Sequence, residues 1–228
     1  MNYKHIFFDL DRTIWDFDAN SIETIKEIFT RYDLISYCTF EDFHEIYREI
    51  NDNLWRDYRD NKTTKENLSW QRFYLTNKHF GNINESLSKH MSNDYIAISP
   101  TKTQMLPNAI ETLEYLHKKY KLHIITNGFT DVQYNKLENC GIKNYFNSIF
   151  TSEEVGCNKP NADFFNFVIL KTGANTLNSI IIGDDIDVDI KGAAEVGIDT
   201  IWFNPTNEKD DFKSNYEIKN LAELKEIL

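Results

Sequence analysis

The sequence predicts an α/β fold: a Rossmann-like parallel sheet core flanked by helices, with an α-helical domain inserted after the first strand. Three observations predict it. Short apolar or β-branched runs alternate with helix-length stretches through the second half of the chain, and each run ends at a polar cluster. From about residue 16 to about 102 the pattern is helical only, with no run that reads as a buried strand. Strands alternating with helices of this length imply a parallel sheet covered on both faces.

Taken in order, HIFFDLD (5–11) is the first strand, passing directly into acids. SIETIKEIFTRYDL (21–34), FEDFHEIYREINDNLWRDYRD (40–60) and LSWQRFYLTNKHFG (68–81) place apolar residues at three- and four-residue steps, and Gly81 supplies a helix stop. PTKTQMLPNAI (100–110), with two prolines, reads as the return linker. The alternation then resumes with a helix in AIETLEYLHKKY (109–120), a strand in KLHIITNG (121–128) and a helix in TDVQYNKLENCG (130–141). A strand in NSIFTSEEVG (147–156), a helix in ADFFNFVILKTG (162–173) and a strand in SIIIGDD (179–185) follow. DIKGAAEVG (189–197) is the last expected helix and DTIWFN (199–204) the last expected strand. The expected domains are therefore a core formed by 1–15 and 103–228 and a helical domain over 16–102.

Bulk properties narrow the function. With 228 residues, 41% of them hydrophobic, the chain can bury one sizeable core and a smaller second lobe. Sixteen Phe, 12 Tyr and 4 Trp against few Gly and Pro argue for an ordered globular protein. The net charge of −11, without any Lys/Arg run, speaks against nucleic acid or an anionic membrane as partner. It also means that a site for an anionic substrate needs a cation or local donors. Cys38, Cys140 and Cys157 show no paired or metal-type spacing, which favours reduced thiols. The N-terminal stretch does not read as a signal peptide and no apolar segment nears the ~20 residues of a membrane span. The expectation is a cytoplasmic protein, monomer or homodimer.

Four features carry chemistry. Asp9 and Asp11 close the first strand, where residues i and i+2 share a face. Carboxylates so close repel unless a proton or cation intervenes, and a hard divalent cation bound by oxygens is one solution. Solvated residues of an ordinary strand–helix loop are the competing reading for the pair alone. Thr126-Asn127-Gly128 ends another strand with a hydroxyl and turn amides that suit an oxyanion, although such a triplet is also ordinary turn chemistry. Lys159, before Pro160 and a helix start, is able to neutralise a phosphate or orient a carboxylate. Last, IIIGDDIDVDIKGAAEVG (180–197) sets Asp184, Asp185, Asp187 and Asp189 against an apolar strand. Helix capping needs only one or two of them. Metal binding explains the excess better.

In this order and placement the four features resemble the haloacid dehalogenase superfamily of phosphatases. The pattern DxDxT, a hydroxyl closing an apolar strand, Lys-Pro and GDDxxxxD spans residues 9 to 189, with the helical insert at the position of that family's cap domain. IITNGFT (124–130), TSEEVGCNKPNADFF (151–165) and NLWRDYRDNKTT (53–64) are similar to the pyrimidine 5′-nucleotidase branch. Many relatives carry Gly or Asp where this chain has Arg12, whose side chain either points away from the pocket or contacts substrate.

The resemblance implies a Mg²⁺-dependent phosphomonoester hydrolase, most simply a 5′-nucleotidase on pyrimidine nucleoside monophosphates. Asp9 would be the nucleophile, forming an aspartyl-phosphate, and Asp11 would protonate the leaving oxygen and then activate water. Mg²⁺ would be held by Asp9, the main-chain carbonyl of Asp11 and Asp184. Thr126 and the amide of Asn127 would hold the phosphate, and Lys159 would pair with Asp9 and the phosphoryl oxygens. Asp189 would orient Lys159 or a metal-bound water, Asp185 is a further candidate metal contact, and Thr13 would support the loop. Trp15, Phe17, Trp55, Tyr58, Trp70, Phe73 and Tyr74 offer rings for a base, or are simply core. Competing readings are a phosphatase for sugar phosphates or phosphoglycolate, a 2-haloacid dehalogenase, which needs neither Mg²⁺ nor an acid at position 11, and a non-catalytic binding module.

Overall fold

The computed structural model describes residues 3–228, so the first two residues of the expected core segment 1–15 lie outside the described residues. Six strands form one sheet: β1 (His5–Phe8), β2 (Lys121–Thr126), β3 (Phe146–Thr151), β4 (Ser179–Gly183), β5 (Asp199–Phe203) and β6 (Tyr216–Ile218). Their order is β3-β2-β1-β4-β5-β6, and every pairing is parallel. β1 lies between β2 and β4, with Phe8 opposite Ile124 on one side and Ile182 on the other. The strand order reverses there, so the carboxyl ends of β1, β2 and β4 form the crevice in which such sheets bind ligands.

Contacts along the chain separate two compact units, Asp18–Lys102 and the stretch up to Phe17 joined to Thr103–Leu228. The first is all helical: α1 (Phe17–Arg31) enters it, and α2 (Phe40–Arg59), α3 (Lys65–His79) and α4 (Glu85–Ile98) complete it. Ile25, Ile28 and Phe29 from α1, Phe43 and Tyr47 from α2, Phe73 from α3, and Met91 and Tyr95 from α4 make its core. Thr39, Thr64 and Asn84 cap the last three helices, each side-chain oxygen accepting a first-turn amide. Helix α4 was not apparent from the sequence. Its buried face is Ser88, Met91, Ser92 and Tyr95, so half the stripe is small and polar. Those serines are buried because they bond α3 and its neighbours: Ser92 Oγ donates to the Ser69 carbonyl (2.7 Å) and Ser88 Oγ accepts from Asn77 Nδ2 (3.0 Å).

In the sheet unit, α5 (Ala109–Leu116), α6 (Thr130–Asn139), α7 (Ser152–Val155), α8 (Ala162–Thr172), α9 (Gly192–Glu195) and α10 (Leu224–Ile227) surround the strands. Strand periodicity divides the core in two. Ile6, Phe8, Leu122, Ile124, Ile180 and Ile182 face Leu113, Leu116, Leu137 and Leu224, whereas Phe7, Ile125 and Ile181 face Phe164, Phe165 and Val168. Trp15 is fully buried and belongs to the first of these clusters.

Two expected elements have different bounds. The strand expected over 147–156 ends at Thr151, which instead caps α7 reciprocally with Glu154. The helix expected over 189–197 begins earlier, as a π-helical turn Ile186–Lys191 leading into α9. Strand β6 has three residues, too few for periodicity to register. Among the described residues no helix is long and apolar enough to cross a membrane.

Candidate active site

Asp9 is the first residue beyond β1, and its amide still donates to the Ile182 carbonyl of β4 at 2.9 Å. The chain then turns tightly. The amides of Ile14 and Trp15 both reach the Leu10 carbonyl, the Arg12 amide reaches the Trp15 carbonyl, and Arg12 takes φ 63°. The Arg12 guanidinium carbon lies 4.4 Å from the Phe17 ring centroid.

Lys159 converges on Asp9 from the loop before α8. Its peptide is clamped by Asn127, whose Oδ1 accepts from the Lys159 amide (2.8 Å) while Nδ2 donates to the Lys159 carbonyl (2.9 Å). The ammonium is 1% exposed and spends its three protons on Asp9 Oδ1 (2.7 Å), Asp189 Oδ1 (2.6 Å) and the Ile125 carbonyl (2.9 Å). Asp189 is brought in by the π-helical turn after β4. Gly183 makes its approach feasible, because a Cβ there would overlap the Asp189 carboxylate.

Asp184 follows β4 directly. Its Oδ1 accepts from Thr13 Oγ1 (3.1 Å), and its carbonyl accepts from Trp202 Nε1 (2.9 Å). Asp185 differs: its Oδ1 caps the π-helical turn, accepting the amides of Asp187 and Val188 at 3.0 Å each. Asp187 pairs with Lys191 at the surface.

One carboxylate oxygen from each of Asp9, Asp184 and Asp189 lies within 4.8 Å of the others. Burial above all, then the neighbouring carboxylates, pushes Asp9 up to about 7 against the pull of Lys159. Asp184 and Asp189 are raised for the same foremost reason. Burial alone would lower Lys159, but Asp189 and Asp9 outweigh it and hold the ammonium charged. Three carboxylates face the Lys159 ammonium, and the Arg12 guanidinium acts on the half-buried Asp184 as well, so the ionised carboxylates still outnumber the cations in this pocket of oxygens. That deficit and that donor set fit a hard divalent cation.

The Asp11 carboxylate is not part of this group. Both of its oxygens are held from α6, Oδ1 by Lys136 Nζ (2.5 Å) and Oδ2 by Gln133 Nε2 (2.9 Å). Gln133 also donates to Thr126 Oγ1 at 2.6 Å. Of the residues singled out from the sequence, the structure thus gathers Asp9, Lys159, Asp184 and Asp189, with Thr13 bonded to Asp184, Asn127 to Lys159, and Thr126 linked through Gln133 to Asp11. Sequence reasoning missed Gln133 and Lys136. Their signal was two polar residues three apart, adjoining Leu137, on the face of α6 that is buried.

A family model described as haloacid dehalogenase-like hydrolase matches residues 6–203. YfnB of Bacillus subtilis is 31% identical over 99% of this chain and 95% of its own length. A crystal structure of YfnB bound to magnesium, described as revealing interdomain movement, superposes with a TM-score of 0.91 at 30% identity, covering 100% of this chain and 99% of that one. Pyrimidine 5′-nucleotidase PynA of Streptococcus pneumoniae is 31% identical over 100% of this chain and 96% of its own. Pyrimidine 5′-nucleotidase YjjG of Escherichia coli is 31% identical over 100% and 99%.

Proposed function

Because the chain belongs to the haloacid dehalogenase-like hydrolases, we propose that it is a Mg²⁺-dependent phosphomonoesterase whose substrates are pyrimidine nucleoside 5′-monophosphates. The observation that carries the reaction type is the cluster of buried Asp9, Lys159 and Asp189 with half-buried Asp184, short of positive charge, with a second acid two residues from Asp9. The substrate class rests on the two full-length relatives named pyrimidine 5′-nucleotidases.

Lys159 engages Asp9 Oδ1, so Oδ2 is the oxygen assigned to attack phosphorus. As the Asp9–phosphorus bond forms, the bond to the nucleoside oxygen breaks, and Asp11 supplies the proton that oxygen needs. Water then attacks the phosphoryl-aspartate, Asp11 takes up its proton, and inorganic phosphate leaves. A Mg²⁺ ion held by Asp9, Asp184 and the Asp11 main-chain carbonyl, with Asp189 alongside, would supply neutralising charge to the phosphoryl oxygens. Thr126 and the Asn127 amide orient the phosphate, and the Asn127 side chain holds Lys159 in place. The same proposal assigns the chemistry to 1–15 and 103–228 and the choice of substrate to the helical domain 16–102.

The test is phosphate release from UMP, dUMP, dTMP, AMP, phosphoglycolate and sugar phosphates, with Mg²⁺ or EDTA, beside Asp9→Asn. Metal-dependent release favouring pyrimidine monophosphates and lost in the variant supports the proposal. Release favouring sugar phosphates keeps the mechanism and refutes the nucleotidase assignment. Release that survives Asp9→Asn refutes the mechanism.

A further inference from the structure

Lys136 occupies a position where packing alone would favour an apolar residue. It is 3% exposed, its ammonium lies 3.9 Å from the Trp15 ring centroid, and Asp11 is the one carboxylate it pairs with among the described residues. The Asp11 side chain is half-buried, but the ammonium itself is out of water. Replacing a buried charge and its partner by well-packed apolar residues is often neutral or stabilising, so stability is a poor reason for the lysine's presence. The ammonium faces the carboxylate to which the acid–base role has been assigned.

Gln133 makes a second link. It is fully buried, and its amide nitrogen donates both to Asp11 Oδ2 (2.9 Å) and to Thr126 Oγ1 (2.6 Å). The Gly128 amide donates to the same threonine oxygen at 3.0 Å. A hydroxyl has two acceptor positions and one proton. With both acceptor positions taken, Thr126 is left to donate, which is what a phosphoryl oxygen requires. Gly128 makes room for this arrangement, since a Cβ there would overlap the Gln133 side chain. The Gln133 Oε1 atom is buried without a partner, so the two donor contacts alone account for the orientation of the amide.

We propose that Lys136 and Gln133 are positioning residues of the phosphoryl-transfer reaction, acting through Asp11 and Thr126. The assignment rests on the phosphatase reading above. In the first half-reaction Asp11 gives its proton to the leaving oxygen, which keeps the electron pair of the broken phosphorus–oxygen bond. Negative charge appears on Asp11, whose two oxygens already face an ammonium and an amide donor. In the second half-reaction Asp11 takes a proton from the attacking water and that charge is withdrawn. Donors fixed where charge develops lower a barrier without having to reorganise. Gln133 adds the correct direction of the Thr126 hydroxyl.

Dependence on the leaving group tests this. A nucleoside 5′-monophosphate releases an alkoxide that needs a proton, whereas p-nitrophenyl phosphate releases a stabilised phenolate that does not. Lys136→Met keeps an apolar stem over Trp15 and removes the charge. It is expected to lower kcat on the nucleotide by roughly a hundredfold, the scale of general acid–base catalysis, and on p-nitrophenyl phosphate by at least about tenfold less. The Mg²⁺ concentration at half-saturation stays close to that of the wild type, and Lys136→Arg restores part of the difference between substrates. Gln133→Leu shows the same preference together with a raised KM, and it carries the test if Lys136→Met does not fold. Equal losses on both substrates, or no loss on either, overturn the proposal. A wild-type protein inactive on every monoester defeats the phosphatase reading instead.

Discussion

Replacing Lys159 by methionine isolates the charge balance of the cluster. The side chain is nearly isosteric, so the loss is one ammonium and three hydrogen bonds, to Asp9, Asp189 and the Ile125 carbonyl. Two buried carboxylates then lose their ammonium and stand beside Asp184, on which the Arg12 guanidinium acts. Breaking a buried ion pair from one side costs about 3–5 kcal/mol. At roughly 2–4 °C per kcal/mol for a chain of this size, the Tm in EDTA should fall by about 6–20 °C. The loss depends on pH. Asp9 is already raised to about 7, mainly by burial, so the folded state holds its proton more tightly than the unfolded chain does. That contribution favours the fold at low pH and is lost as pH rises through 7. Without Lys159 the carboxylates are raised further, making the destabilisation smallest near pH 5 and largest near pH 8. Calorimetry of both proteins across that range, in EDTA and in Mg²⁺, measures it. The double variant Lys159→Met/Asp189→Asn should recover about 1–3 kcal/mol relative to additivity. A Tm within 2 °C of the wild type at pH 8 in EDTA would show that Lys159 is not the counter-charge, and the reasoning would fail.

Mg²⁺ at a hundredfold excess over its Kd should stabilise the wild type by about 2.7 kcal/mol. Asp184→Asn removes one of the three clustered carboxylates and should shrink that gain, which an undiminished thermal shift would contradict. Gly183→Ala pushes a methyl into the Asp189 carboxylate, so a loss of about 1–3 kcal/mol is expected along with lower kcat/KM, and wild-type values of both would refute the close approach. His5 Nδ1 and His123 Nε2 lie 3.1 Å apart between β1 and β2, and burial foremost lowers both, His123 to about 3. Their contribution to stability is present above the unfolded value of 6.5 and lost as pH falls toward 3, about 2 kcal/mol of it by pH 5 from His123. His123→Phe should therefore lose less Tm than the wild type between pH 7 and pH 5, and parallel slopes would refute this; the opposing Asp9 contribution is common to both proteins.

Much of the sheet was legible because a buried parallel strand is a continuous apolar run. HIFF, HIIT and SIIIG are such runs, and each ends where the backbone leaves the sheet and polar residues begin. Helix α4 was hidden because serines stand where an apolar stripe would, and β6 because three residues carry no period. The acid-rich stretch after β4 was visible as a group but not divisible into roles. Asp185, Asp187 and Asp189 look alike in sequence, yet the first caps a π-helical turn, the second meets Lys191 at the surface and the third is buried on Lys159.

What the sequence determined by itself was therefore local: which segments are buried, which face of each strand or helix is apolar, and where polar side chains leave a strand end. Convergence belonged to the tertiary structure. Lys159 meets Asp9 across 150 positions of chain, and Lys136 meets Asp11 across 125. Those meetings follow from the placing of β1 between β2 and β4. Local periodicity sets the direction of a side chain but not its neighbour across the sheet, so strand order alone decided which charges would face one another.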